Sequence, residues 1–205
     1  MHRLRSAAFL GLLIFIAVPP SFAEVKEWRV DPVHSHVGFK VRHMMVAFVR
    51  GQFTGIDGKV WYDPDNPSTT KVEVEIDAAS IDTQNQRRDD HLRNEDFFYV
   101  EKHPKLRFVS KSVKGNTQSG FHLVGDLTMR GVTKEVTLDV KGLERVISNG
   151  KGGERMGLSA TGKVSRKDFG ISWVEPVLGG GVNVADEVVM EIEAELIRSV
   201  APASK

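Results

Sequence analysis

The 205-residue sequence contains no cysteine. That absence excludes disulfides, thiolate chemistry and any lipid carried on an N-terminal cysteine. An excess of either charge is also missing: 28 Lys and Arg stand against 27 Asp and Glu. Net charge therefore asks for neither a nucleic acid nor an anionic membrane surface as partner. No apolar run is long enough to cross a bilayer as a helix, so no stable membrane insertion is expected. The longest runs from Ala7 to Val18, between basic Arg3 and Arg5 and the breakers Pro19 and Pro20. Small residues at Ser21 and Ala23 complete the pattern of an export signal. Residues 1–23 are thus expected to be removed, leaving a chain that begins at Glu24 in the periplasm or outside the cell. Taking 23 from 205 residues leaves 182, which suits one domain with its own core. In an oxidising space that core must hold without disulfides.

What remains reads as strands. Val37, Phe39 and Val41 alternate with His36, Lys40 and Arg42, the period-2 pattern of a half-buried strand. Val72, Val74 and Ile76 alternate with Glu73, Glu75 and Asp77. Phe121, Leu123, Leu127 and Met129 share a parity, as do Val136, Leu138 and Val140, and Met156, Leu158, Ala160 and Val164. The clearest segment sets Val188, Met190, Ile192, Ala194 and Leu196 against Glu187, Glu191, Glu193 and Glu195. Turn residues at Arg130-Gly131 and around Asn149-Gly150 suit antiparallel hairpins.

Two segments break the pattern. Asp82 to Phe98 is polar, holds no Gly or Pro, and offers Asp82 or Asn85 as an N-cap, which predicts a short surface helix. It ends in the apolar residues Leu92, Phe97 and Phe98. Asp168 to Ala185, with Trp173, Pro176 and Gly179-Gly180-Gly181, predicts a long loop at a barrel mouth. The fold class expected is all-β: a single antiparallel barrel of about eight strands over residues 24–199, with the helix covering one end and residues 200–205 as a tail. Closure would remove exposed strand edges. Small residues at Gly38, Gly125, Ala160 and Gly162 either leave room in the lumen or relieve crowding.

Little in the chain suggests catalysis or a metal. His34, His36 and His43 are the only tempting group, and no His-x3-His or His-Glu-x-x-His spacing supports them. Gly157 to Gly162 has the second glycine one residue too far for a nucleophile elbow. Adjacent Asp89 and Asp90 would diverge on a helix and look like a solvated face. Met44, Met45, Phe48 and Trp61 read as core or barrel-rim residues.

The run Asp31-Pro32-Val33-His34-Ser35-His36-Val37-Gly38-Phe39-Lys40-Val41-Arg42-His43 resembles the opening of the YceI-like family. Further blocks follow in the family's order: Arg88 to Arg93 with Asp96-Phe97-Phe98, His103-Pro104 leading to Phe108 and Ser110, Val124 to Lys134, and Ser165 to Gly170. The resemblance implies a lipocalin-like barrel whose tunnel takes the tail of an isoprenoid or similar long-chain amphiphile, an isoprenoid quinone among them. On the residues themselves no catalytic residue, no metal and no other cofactor is expected, and a homodimer stays open. Combined with the strand parities, the resemblance makes Phe39, Val41, Val74, Ile76, Leu92, Phe97, Phe98, Phe108, Leu123, Leu127, Met129, Leu138, Leu158, Phe169, Met190 and Ile192 the expected ligand contacts. His43, Arg88, Asp90 and His91 are expected near the headgroup or entrance. The alternative is a histidine-dependent metal protein or enzyme acting on such a lipid.

Overall fold

Each apolar parity finds a partner of the same kind on the next strand, and the pairing runs round until it closes. The structure, a computed structural model, describes residues 25–63, 66–115, 120–143, 145–150, 152–178 and 181–199. The expected signal, the tail and Gly179-Gly180 lie outside these. The strands are β1 (Lys26–Val30), β2 (His36–His43), β3 (Ala47–Phe53), β4 (Ile56–Tyr62), β5 (Lys71–Asp77), β6 (Ile81–Asp82), β7 (Lys105–Lys114), β8 (Phe121–Met129), β9 (Val132–Gly142), β10 (Ile147–Ser148), β11 (Gly153–Ser165) and β12 (Val184–Ser199). One helix, α1, spans Gln86–Arg93.

The ring β1-β4-β5-β7-β8-β9-β11-β12 closes through the β11–β12 and β12–β1 pairings, giving an eight-stranded antiparallel barrel. The extra strands arise because three staves are broken: β2 continues β1, β3 leads into β4, and β6 continues β5. Above the breaks, β2, β3 and β6 form a leaf that stays paired to β12 through β2. Strand β7 pairs with β5 but not with β6, so the barrel wall parts at that end. Helix α1 follows β6 there.

Side chains mend the breaks. Where β1 bends into β2, Ser35 Oγ accepts from Glu195 N at 3.0 Å, supplying β12 with a partner that the strand no longer offers. Asp31 takes Val33 N and His34 Nδ1, each at 3.0 Å. These bonds hold the Asp31 carboxyl below its ordinary range, His34 contributing most and Val33 next. The first family block is therefore, at Asp31, His34 and Ser35, the mortar of a kink. At the second break, Gly55 N donates to Ser80 Oγ at 2.9 Å.

Local chemistry sets the other landmarks. Asn85, not Asp82, caps α1, its side chain accepting from Arg88 N. Arg130 and Gly131 both adopt positive φ, 51° and 75°, the two-residue turn whose twist suits a hairpin between β8 and β9. Asp89 departs from the solvated-face expectation: it is buried, and its carboxylate accepts from Thr83 N at 2.9 Å and from the Thr83 hydroxyl. A short helix folded back on its own entry strand turns one of two adjacent acids inward.

The apolar floor lies at the end opposite α1. Trp28, Met156 and Leu196 are buried to 2% exposure or less, and the Arg198 guanidinium sits 5.1 Å over the Trp28 ring.

Candidate functional site

Above this floor the barrel encloses a cavity of about 410 Å³, within the range of small-molecule sites. Its walls are the inward faces of the strands. Met190, Ile192, Ala194 and Leu196 of β12 meet Leu158 and Ala160 of β11; Leu123 and Leu127 of β8 meet Leu138 of β9 and Phe108 of β7. Polar lining residues gather at one end: Arg42, His43, Thr83, Arg88, His91, Arg166 and Asn183, with Thr70 alone at the other. No carboxylate lines the cavity among the described residues.

Ala160 lines the cavity, but Gly125 and Gly162 do not widen it. A Cβ on Gly125 would lie 2.5 Å from Phe108 Cζ, so the glycine is where that ring crosses the neighbouring strand. Leu138 and Met190 cover Gly162 in the same way. Gly38 faces the other side, toward the His36 ring.

The mouth is roofed by aromatic rings from two segments. His91 on α1 lies 5.0 Å from both Phe97 and Trp173, centroid to centroid, and Phe97 lies 5.3 Å from Trp173. His91 Nε2 is held by Asp96 Oδ2 at 2.9 Å, which fixes the ring's plane. A second row runs Phe39, Phe53, Phe98, at 5.9 and 5.5 Å. Arg130 Nη1 secures the helix side by donating to Phe97 O at 2.8 Å.

Arg166 secures the loop side, a role that sequence reading missed. Only 3% exposed, it donates to the carbonyls of Ile171, Trp173, Val184 and Ala185 at 2.6 to 3.3 Å and to Asp186 at 3.3 Å. Burial lowers its pKa from the ordinary arginine value, with Asp186 opposing the shift. A guanidinium spends its fixed fork on carbonyls here, pinning the segment that carries Trp173 to the start of β12. Its partners are backbone atoms, so no residue pattern announces them.

Fifteen of the sixteen expected contact residues line the cavity. Phe169 does not: it is 1% exposed in the turn Arg166–Phe169, packed behind the wall. The parity rule cannot apply to a turn. Among the expected headgroup residues, His43, Arg88 and His91 line the mouth; Asp90 faces solvent and bonds Gln86 and Arg93. Arg88 is partly spent, donating to Thr83 Oγ1 at 2.7 Å and Thr83 O at 2.8 Å. Arg42 keeps more freedom, stacked 4.1 Å from the Phe48 ring centroid.

The histidines take separate partners: His34 bonds Asp31, and His36 Nδ1 meets Gln52 at 2.8 Å. Asp31, His34 and Glu195 come close enough to share an ion. Arg155 already bridges those two acids, 3.3 Å from Asp31, and its own pKa is raised by Glu195.

A family model described as YceI-like domain matches residues 28–196. A UPF0312 protein of Serratia proteamaculans is 42% identical over 151 residues, 71% of this chain and 76% of that protein. The crystal structure of a Campylobacter jejuni YceI protein aligns with TM-score 0.65 and 32% identity, covering 82% of this chain and 96% of the other. A polyisoprenoid binding domain from Saccharophagus degradans, implicated in plant cell wall breakdown, aligns with TM-score 0.57 over 87% of this chain and all of that domain. At 12% identity that last likeness speaks for the fold alone.

Proposed function

This chain belongs to the YceI-like family, and on that premise we propose that it binds an isoprenoid or similar long-chain amphiphile in its barrel without reacting it. One observation carries the reading: the cavity is apolar from floor to mouth, and its charged lining residues are all at the mouth. A chain-like tail fits such a lining because each buried CH2 contributes about 0.8 kcal/mol with no need for polar recognition. The mouth offers His43, His91 and the partly engaged Arg88, with no acid among the described lining residues, so it suits a headgroup rich in acceptor oxygens, anionic or carbonyl-bearing. The Saccharophagus domain, described as polyisoprenoid-binding, has the same architecture. Carriage or storage, and not turnover, is favoured because no carboxylate, serine or cysteine lines the cavity among the described residues, and Asp96, the partner of His91, lies outside that lining. The site of action proposed is the periplasm or the outside of the cell, after removal of residues 1–23.

Organic extraction of the purified protein followed by mass spectrometry tests this. A co-purifying isoprenoid, quinone or comparable amphiphile is expected, and it should be lost from a Leu127→Asp variant. Wild-type protein that yields no such lipid and fails to take up a fluorescent isoprenoid would contradict the reading.

A further inference from the structure

Ten large hydrophobic residues are exposed among the described residues, and six of them crowd the mouth end: Met44, Met45, Val46, Phe48, Val174 and Leu178. A soluble monomer scatters such residues; concentration on one end marks a contact surface. Two fingers carry them. The first is the tip of the β2–β3 hairpin. The second is the loop closed by the Pro176–Val182 bridge, and Met44 N ties the two together through Asn183 O at 2.9 Å. Leu178, in that loop, is fully exposed.

The hairpin tip gives up turn chemistry to hold these side chains. Met44 and Met45 both sit in the left-handed region, at φ 48° and 59°, where Gly, Asn or Asp would be unstrained. Strain kept at an exposed apolar tip points to use.

Charge names the partner. On the outer face of the hairpin, Lys40 lies directly across from Arg50, and Arg42 across from Phe48. Glu191 pairs with Lys40, while Arg50 has no ion pair among the described residues. The balanced net charge thus conceals a local excess of cations at the apolar tip: Lys40, Arg42 and Arg50 against Glu191 and, on the second finger, Glu175, which Asn183 holds at 3.2 Å. An apolar tip ringed by Arg and Lys fits the headgroup boundary of an anionic bilayer.

We propose that the mouth end docks on an anionic lipid bilayer. Met45 and Leu178 enter the boundary between headgroups and acyl chains, Arg42 and Arg50 meet lipid phosphates, and the cavity mouth faces the bilayer. The inference uses the lipid-binding reading only to say what would pass through that mouth; docking needs no cargo.

The test is flotation of protein beginning at Glu24 with two kinds of vesicle: phosphatidylcholine alone, and equal parts phosphatidylcholine and phosphatidylglycerol. Binding to the anionic vesicles is expected, weakening several-fold on raising salt. Arg50→Glu should weaken it at least fivefold, from the charge lost near the surface. Met45→Asn, which suits the left-handed backbone and so should fold at least as well, should weaken it about tenfold by removing the inserted side chain. Both variants should keep their co-purified lipid and their unfolding temperature, whereas Leu127→Asp should lose lipid yet still dock if folded. Equal flotation of wild type and both variants, or no flotation at all, would overturn the proposal. So would a change from dimer to monomer in the variants with vesicle binding unaltered, since the tip would then be a self-association surface.

Discussion

The two ends of this barrel are built from the same alternating strands to opposite purposes. At the floor, Trp28, Met156 and Leu196 are sealed to 2% exposure or less, and charge sits outside, as Arg198 does over Trp28. At the mouth, rings from α1 and from the loop after β11 meet edge to face with partial exposure, and basic side chains are among the residues that line the rim. Where the strands pair on both sides the wall is tight. Where β6 and β7 part, a helix and a pinned loop must cover the gap, and cover is easier to open than a ladder. Stability should therefore reside at the floor and exchange at the mouth.

Breaking the floor should cost most. Trp28→Ala is expected to lower stability by about 3 to 5 kcal/mol in urea unfolding. Trp28→Phe should cost far less, because the buried indole N–H has no hydrogen-bond partner to lose. If both cost the same, the floor is not held by packing. Next comes the pin of the mouth: Arg166→Met leaves several carbonyls without their donor and should cost about 3 kcal/mol. It should also speed transfer of a fluorescent isoprenoid to acceptor vesicles. Trp173→Ala sharpens the contrast, since this half-buried lid ring should cost only about 1 to 2 kcal/mol while accelerating transfer more than any floor variant. Equal transfer rates for Trp173→Ala and Trp28→Ala would erase the distinction between the ends.

The smallest effect expected is at the kink. The Asp31 carboxyl is depressed, chiefly by His34, so it stabilises the fold above the unfolded carboxylate value and loses that contribution as pH falls through its folded value. Asp31→Asn should cost about 1 kcal/mol at neutral pH. Below about pH 4 the wild type and the variant should converge, as unfolding midpoints across pH would show. A gap that stays constant down to acid pH would mean that the charge of Asp31 does not matter to the bend.

Much of the cavity was legible because side-chain direction in a strand is a matter of counting. The alternation of Glu187, Glu191, Glu193 and Glu195 with Val188 to Leu196 named the wall of β12, and the same arithmetic named Leu127, Leu138 and Leu158. The helix was legible from its polarity and its cap. What counting could not reach lies off the strands. Phe169 sits in a turn, where parity has no meaning, and Asp89 turns inward only because α1 folds back on Thr83. Arg166 binds carbonyls that are distant in sequence or set by loop conformation. The broken staves were hidden too: Asp31 to Ser35 reads as a turn motif, and only the β12 backbone opposite shows that it repairs a continuing strand.

The most direct measurement is the amount of lipid extracted per protein from the wild type and from Leu158→Trp, which fills the cavity with an apolar ring and buries no charge. Near-stoichiometric lipid is expected on the wild type and several-fold less on a variant that remains folded. Equal lipid on both proteins would contradict that expectation, because the tail would then lie somewhere other than the barrel.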